Sequence, residues 1–300
     1  MNTNEEGVLQ NKSNGFDNGR SFLVAGSYYD DLDIFGESSL YHLLNRTTTK
    51  HGAAELAALL SIGTISKEKI EDYQAAVRIL STQTDIRQLL TANGLLYVDE
   101  KTTLHSITNW LEVHSRINHQ AWWKIVRWIL PLYNFPAFIY MLATGDWQFV
   151  LIGASVSYLL TGIYFRYIKE QHELIGKKQE ILDQYAAILN IYKSINTGNS
   201  KELKKLHHET SEAIQAIKQL SRLTAFFDQR LNLLVAVFFN SLFLYDLQCL
   251  SALEQWKEKY KNKFEGWIHC VGEIECLNSI AAFAFNNPGY TYPVVSNGSL

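Results

Sequence analysis

Two adjacent apolar runs dominate this chain: Trp128–Gly145, WILPLYNFPAFIYMLATG, and Trp147–Phe165, WQFVLIGASVSYLLTGIYF. They contain 18 and 19 residues without a charge, and only Asp146 separates them. A helix needs about 20 predominantly apolar residues to span a bilayer, with a range of about 17–25. The pair therefore predicts two membrane-spanning helices joined by a tight turn. The alternative is a helical hairpin buried in a soluble core.

The residues that flank the two runs indicate an orientation. Lys124 and Arg127 precede the first run, Arg166 and Lys169 follow the second, and the turn between the runs contains no basic residue. Basic residues concentrate on the cytoplasmic side of membrane helices. We therefore expect a transmembrane hairpin over 121–169 in the cytoplasmic (inner) membrane, with both termini of the chain in the cytoplasm.

The overall composition narrows the class of protein. In 300 residues, 27 Lys and Arg stand against 30 Asp and Glu, which gives a formal net charge of −3. This balance argues against a wholly basic nucleic-acid-binding protein, although a local basic patch is compatible with it. The three cysteines include no Cys-x-x-Cys pair, which argues against a disulfide framework or a thiolate zinc site and fits a reducing compartment.

A seven-residue apolar repeat follows the second run and extends from Ile168 to Ile195, with charged residues on the other faces. A repeat of this period predicts a packing seam for another helix. Because no proline intervenes, we expect one continuous rod from Trp147 to about Ile195, roughly 70 Å long.

The remaining segments are also predicted to be helical. Ser200 is a predicted N-cap, and Leu231–Tyr245, a charge-free run of 15 residues, is too short to span a membrane and predicts a buried core helix. The predicted helices outside the hairpin and the rod are about 38–45, 49–60, 70–80, 84–94, 103–114, 200–223, 229–259 and 263–285.

The chain contains no recognisable nucleotide-binding or hydrolytic motif. The patterns G-x-x-x-x-G-K-[ST], G-x-G-x-x-G and G-x-S-x-G are absent, and the only Gly-Lys pair, Gly176-Lys177, lies inside the apolar repeat. No histidine pair has the spacing of a metalloprotease helix, and no metal site is predicted. We therefore assign no catalytic residue and expect this chain alone neither to bind nor to hydrolyse ATP.

Two basic stretches are candidate contacts for DNA or phosphate. Binding through such stretches would be sensitive to salt and independent of base sequence. The alternative, which the acidic neighbours favour, is a solvated helix face balanced by Glu202, Glu254, Glu258 and Glu265. The candidate residues are Lys201, Lys204, Lys205, Lys257, Lys259, Lys261 and Lys263.

Several stretches resemble the core, or lever, domain of the MutS family of DNA mismatch repair proteins. The string LLNRTTTKHG, residues 43–52, and the Leu-rich helix after it are similar to the opening of that domain. Ile70, the residues 74–77 and Leu80 resemble its next helix. Segments that resemble a membrane-associated branch of the family are 228–232, 253–256 and 273–284. The resemblance covers about residues 21–115 and 200–295.

The resemblance implies a mostly α fold, in which a MutS core-like helical domain with long lever helices carries the two-helix transmembrane hairpin. Where the family inserts a DNA-gripping clamp between the levers, this chain has the hairpin, so the levers would end in lipid. The segment 290–295 alternates like a strand without a sheet to join and is expected to be mobile. The implied divisions are a disordered tail (1–20), the N-terminal part of the core (21–120), the hairpin (121–169), the levers with the C-terminal part of the core (170–287) and a linker toward an ATPase domain (288–300).

The function implied by the resemblance is DNA mismatch repair or recombination, with a core that couples DNA binding to an ATPase domain. The family's phosphate loop and mismatch-reading domain are absent from this sequence. ATP and Mg²⁺ are therefore expected only with an ATPase domain in cis on a longer chain. The implied partners are the membrane, DNA and a second copy of the chain. The alternative function is a non-catalytic, membrane-anchored helical scaffold that dimerises through the 168–195 helix.

Overall fold

The structure is a computed structural model that describes residues 16–62, 65–96 and 101–295, with the side chains of 101–103 excepted. Over these ranges the chain is mostly α-helical and forms no strand, so the expectation of a mostly α fold is confirmed. The α-helices are α1 (Tyr28–Asp31), α2 (Leu40–Leu44), α3 (Lys50–Ser61), α4 (Lys67–Ser81), α5 (Thr84–Leu95), α6 (Lys101–Glu112), α7 (Ala121–Thr144), α8 (Gln148–Ile175), α9 (Gln179–Lys193), α10 (Lys201–Asp228), α11 (Asn240–Phe243) and α12 (Tyr245–Asn286).

The chain divides into two compact units. Unit 1 comprises 1–99, 184–215 and 266–300, and unit 2 comprises 100–183 and 216–265. The divisions fall within α9, α10 and α12, so both units are assembled from segments that are distant in the sequence.

Side-chain caps begin several helices of unit 1. The hydroxyls of Ser39, Thr49 and Ser66 each accept a hydrogen bond from the backbone N–H three residues further on, at the start of α2, α3 and α4. Ser200 does the same at the start of α10, at 3.2 Å, which confirms the predicted N-cap. Such caps satisfy N–H groups that have no partner inside the helix.

A buried carboxylate joins the start of α3 to α12 in unit 1. Glu275 accepts hydrogen bonds from the backbone N–H groups of Thr48 and Thr49, both at 3.0 Å, and from both threonine hydroxyls. Gly52 packs directly on this carboxylate, and a Cβ at that position would collide with it. The N–H of Arg46 donates to Ser279 Oγ at 3.1 Å. The motif at 43–52 is therefore fixed to the C-terminal helix.

In unit 2, α7 and α8 form an antiparallel hairpin. α7 ends at Gly145, whose φ of 77° is favourable for glycine, and its N–H caps the Met141 carbonyl at 2.8 Å. Gly153 lets the two helices approach closely, because a Cβ there would collide with Asn134 Oδ1. The helices and the turn predicted for 121–169 are thus present, although α8 continues beyond 169 to Ile175.

The predicted rod from Trp147 to Ile195 is wrong, because the chain breaks between α8 and α9. The Gly176 N–H caps the His172 carbonyl at 2.8 Å, and Lys177 has a left-handed φ of 56°. Asp228 stabilises this break by accepting hydrogen bonds from the Lys177 N–H at 2.9 Å and from His172 Nε2 at 2.8 Å. The repeat continues across the break even though the helix does not.

The apolar seam between Ile168 and Ile195 does not face outward. Ile168, Ile175, Leu182 and Leu189 have no exposed surface. The chain itself fills the seam, so this stripe presents no apolar face to a second copy. The scaffold predicted to dimerise through 168–195 therefore lacks the interface on which that alternative depended.

The prediction of a buried core helix at Leu231–Tyr245 is also wrong. The segment consists of a 3₁₀ turn (Gln229–Leu231), a π-helical turn (Val235–Phe239) and the single turn of α11, and Leu244 breaks it with a left-handed φ of 55°. Several of its apolar side chains are exposed, and Leu234 reaches 77 %. The two helices predicted for 229–259 and 263–285 are replaced by this segment and by one continuous helix, α12.

Both terminal segments, predicted as a disordered tail and a mobile linker, are packed against the protein where the structure describes them. Residues 1–15 of the predicted tail and 296–300 of the predicted linker lie outside the described residues. Within the described part, Asn45 Nδ2 donates to the Asp17 carbonyl at 3.0 Å. The Arg78 guanidinium lies 4.3 Å from the Tyr292 ring centroid, and Gln74 Nε2 donates to the Pro293 carbonyl at 2.9 Å. The segment 290–295, expected to be mobile, is held against α4.

Candidate functional site

Three helices in the described residues are long and apolar enough to cross a membrane, namely α7, α8 and α12. In the most apolar stretch of each helix, the buried share is 6 % for α7, 17 % for α8 and 67 % for α12. By composition these helices suggest a membrane protein. Because most of the apolar stretch of α12 is already covered by protein, the uncovered apolar surface belongs to the α7–α8 hairpin.

The hairpin exposes an apolar surface that water would not favour. The most exposed large side chains on it are Trp128, Leu132, Leu142, Leu159 and Ile163, each between 64 and 75 % exposed. Contiguous apolar patches beyond a few hundred Å² are rare on soluble monomers and mark membrane or protein interaction sites. The hairpin has the pattern that a bilayer requires, with apolar side chains outward and polar groups inward.

Polar groups inside the hairpin hold the two helices together. Asn134 Nδ2 donates to Ser157 Oγ at 3.0 Å, and both side chains are buried. Ser157 Oγ donates to the Gly153 carbonyl at 3.0 Å, and Thr161 Oγ1 donates to the Ser157 carbonyl at 2.9 Å. The last two bonds lie within α8 and satisfy its buried hydroxyls, whereas the Asn134–Ser157 bond joins the two helices. Small residues and an interhelical hydrogen bond of this kind stabilise helix pairs in lipid.

Glu254 fixes both outer ends of the hairpin to α12. Its carboxylate accepts hydrogen bonds from three consecutive backbone N–H groups, those of Arg116, Ile117 and Asn118, at 2.8–3.0 Å, and from the Tyr167 hydroxyl at 2.8 Å. Consecutive N–H groups form an anion-binding concavity, which a carboxylate satisfies well. Glu254 was predicted to lie on a solvated face, but it is fully buried.

Lys257, predicted to contact phosphate, is buried instead. Its ammonium donates to the Val113 carbonyl at 2.7 Å and lies 5.0 Å from the Trp110 ring centroid. Burial lowers the pKa of Lys257 to about 8. The side chain thus caps carbonyls at the end of α6, and it is not presented to DNA.

The basic residues of α10 lie in acidic surroundings in unit 1. Lys201 Nζ donates to Glu68 at 3.1 Å, and Lys205 forms a 3.6 Å ion pair with Glu202. The hydrogen bond that Lys201 donates to Glu68 raises the pKa of Lys201. Burial acts to lower the pKa of Lys205, but the neighbouring carboxylates, Glu202 first among them, raise it. Lys204 is exposed and forms no ion pair with any described residue.

The remaining basic candidates lie on the part of α12 that belongs to unit 2. Lys259, Lys261 and Lys263 are exposed, and the Lys259 ammonium lies 4.7 Å from the Tyr260 ring centroid. All three side chains thus lie at the surface. Of the seven predicted contacts, one, Lys257, is therefore buried. Two, Lys201 and Lys205, are paired with carboxylates, and the other four lie at the surface.

The described residues contain no group of three or more His, Cys, Asp or Glu side chains that could hold a metal ion. An apolar cavity in unit 1 is lined by Leu59, by residues of α4, by Ile280 and by Tyr292.

Comparison with known proteins gives no assignment: no family model, no curated protein and no solved structure matches this chain.

Proposed function

We propose that this protein is the membrane-anchored core and lever region of a MutS-like DNA-processing protein. In this proposal the α7–α8 hairpin anchors the chain in the inner membrane with both termini in the cytoplasm. The helical core couples DNA binding to an ATPase domain in cis on a longer natural chain, which supplies ATP and Mg²⁺ binding. In this proposal the ATPase domain, and no residue of 1–300, supplies the catalytic groups.

The apolar surface of the hairpin is the observation that carries the membrane part of the proposal. Only 6 % of the most apolar stretch of α7 is buried in the protein, so a bilayer is the natural environment for that surface. Lys124, Arg127, Arg166 and Lys169 lie at the open end of the hairpin, and the turn carries only Asp146. This distribution favours a cytoplasmic open end.

The buried joint at Glu275 supports the MutS-like part. Two of the stretches that carry the resemblance, 43–52 and 273–284, are separated by more than 200 residues, yet Glu275 and Ser279 hydrogen-bond directly to Thr48, Thr49 and Arg46. A core domain interrupted by a long insertion needs such a joint. The second copy implied by the resemblance would have to bind away from the 168–195 stripe, because that stripe is buried.

The topology is tested by labelling single cysteines in intact cells. A chain in which Cys249, Cys270 and Cys276 are replaced by alanine carries either Thr144→Cys at the hairpin turn or Lys193→Cys in α9. A membrane-impermeant thiol reagent should label position 144 from outside and leave position 193 unlabelled until the cells are opened. Labelling from outside at position 193 alone would indicate the opposite orientation in the membrane. Recovery of the chain in the soluble fraction would refute the membrane anchor.

DNA binding is tested with the full chain in nanodiscs. Fluorescence anisotropy is recorded with homoduplex, mismatched and four-way-junction DNA between about 50 and 200 mM salt. We expect binding that weakens with salt, and Lys204→Glu should reduce the slope of log K against log salt by about 0.9 per lost phosphate contact. Lys218→Glu, an exposed charge reversal in unit 2, is the control. Absence of binding to all three DNAs at the lowest salt would refute the DNA-binding part.

A further inference from the structure

We propose that residues 229–244 form a re-entrant membrane segment that enters the bilayer beside the hairpin, turns within it and leaves on the same side. The ligand of this surface is the acyl region of the lipid bilayer. The inference rests on the proposed membrane anchor, but it assigns a third lipid-contacting element that neither hairpin helix provides.

The apolar side chains of this segment continue the surface of the hairpin. Leu233, Leu234 and Val237 are 74, 77 and 51 % exposed, and no charged residue lies between 231 and 245. The segment packs on the hairpin through ring contacts, Phe238 against Phe138 at 5.3 Å and Phe243 against Phe135 at 6.2 Å. If lipid covers α7 and α8, the same lipid must meet this segment.

Polar side chains of the hairpin satisfy the irregular backbone of the segment. The Tyr158 hydroxyl donates to the Val237 carbonyl at 2.6 Å, in the π-helical turn. Asn134 Nδ2 donates to the Ser241 carbonyl at 2.8 Å, just before the chain breaks at Leu244. Irregular backbone is tolerated at membrane depth only where such groups find partners inside the protein. The hairpin therefore supplies hydrogen-bond donors to carbonyls of the segment, which allows its irregular backbone to lie in lipid.

The two ends of the segment lie close together at the open end of the hairpin. Arg230 and Asp246 form a partly buried ion pair at 3.3 Å, one at each end of the charge-free stretch. Asp228 is held by His172 and the Lys177 N–H beyond the apolar part of α8. On the return path, Gln248 Nε2 donates to the Arg127 carbonyl at 2.7 Å, at the start of the apolar part of α7. The segment thus enters and leaves at the open end of the hairpin.

Two estimates agree on the depth that the segment reaches. Its helical part, 233–243, extends at most about 16 Å at the α-helical rise. Tyr158, which contacts Val237, lies seven residues inside the charge-free run that ends at Phe165, or about 10 Å along α8. Both values are well short of a hydrocarbon core of about 30 Å. The segment therefore enters one leaflet and does not cross the membrane.

The test measures lipid contact at single positions of the full chain in phosphatidylcholine–phosphatidylglycerol vesicles. In the cysteine-free background, an environment-sensitive fluorophore is attached at Leu234→Cys or Val237→Cys in the segment, at Leu159→Cys in the hairpin, or at Leu96→Cys in unit 1. Leu96 is 70 % exposed and is a matched aqueous control. A genetically encoded fluorescent residue at the same positions gives the same readout in the native-cysteine chain if the background does not fold.

We expect quenching by doxyl-labelled lipids at 234 and 237 to match that at 159 and to exceed that at 96 several-fold. Quenching at 159 with none at 234 and 237 would overturn the re-entrant segment and leave the anchor intact. Absence of quenching at all four positions would overturn the anchor itself. Asn134→Leu should reduce quenching at 237 but not at 159. An equal reduction of quenching at both positions would show that Asn134 does not position the segment.

Discussion

Replacing Glu254 with glutamine should destabilise the protein strongly. Glu254→Gln keeps the size of the side chain but exchanges one acceptor oxygen for an amide that only donates. In either orientation that amide must face at least one of the backbone N–H groups of residues 116–118, which can only donate, although the Tyr167 hydroxyl can turn to accept from it while donating to the His114 carbonyl. The substitution therefore removes about two hydrogen bonds and places donors against donors.

The magnitude follows from those two bonds. Hydrogen bonds to a charged group contribute about 1.5–3 kcal/mol each. Part of their loss is offset because a neutral amide is less costly to bury than a carboxylate. We expect a net loss of about 3 kcal/mol, which corresponds to a decrease in Tm of about 5 °C for a chain of this size.

The assay is thermal unfolding in detergent micelles, followed by circular dichroism, with trypsin cleavage after Arg116 as a local readout. Glu258→Gln is the matched control, because Glu258 lies one turn further along α12, is half exposed and makes only a 3.6 Å contact with His119. Its effect should stay within about 0.5 kcal/mol. If Glu254→Gln unfolds at the wild-type temperature, or if the two variants lose stability equally, the role assigned to the buried carboxylate is refuted.

Three further substitutions test other parts of the structure. Leu159→Arg should disfavour membrane insertion by about 2.5–3.5 kcal/mol, measured as the inserted fraction in a translocon assay, and unchanged insertion would contradict the lipid-facing position of Leu159. Gly52→Ala should lower the stability by about 1–3 kcal/mol, because the added Cβ collides with Glu275. Gly266→Ala, at a helix position with open space around it, is the control and should be neutral or stabilising. Similar denaturation midpoints for the two variants would disprove the close contact at Gly52. Burial lowers the pKa of Lys257 from the ordinary value of 10.5 to about 8 in the folded protein. The contribution of Lys257 to the free energy of unfolding is therefore complete above about pH 10.5 and is lost as the pH falls to about 8. Wild-type stability relative to Lys257→Met should therefore rise between about pH 8 and 10.5, and parallel pH profiles would exclude this shift.

Local patterns predicted much of the helical structure because local chemistry determines it. The spacing of Ile70, Val77 and Leu80 predicts α4, and Ser200 caps α10 as expected for a short hydroxyl side chain before a helix. The length of the charge-free runs and the Gly145 turn predict the hairpin. Each of these features depends on residues that are close together in the sequence.

The remaining structure depends on partners that the sequence does not reveal. The apolar repeat predicts that Ile168–Ile195 packs against something, but periodicity does not distinguish another part of the chain from a second copy. Leu231–Tyr245 is read as a helix because nothing local indicates that Tyr158 and Asn134 will accommodate a π-helical turn and a break. Glu254 and Lys257 are charged residues on a helix, and only the tertiary fold brings Ile117 and Val113 to them.

The break at Gly176-Lys177 affects how mechanical force travels from the membrane. An unbroken rod would carry a pull on the hairpin straight along its axis into α9. Here the helical hydrogen bonds end with the Gly176 N–H, and the backbone turns before α9 begins. At that turn His172 and the Lys177 N–H also hydrogen-bond to Asp228 at the end of α10. A pull on the hairpin would therefore reach α10 through Asp228 as well as α9 through the bent backbone, so the break divides the load between two helices.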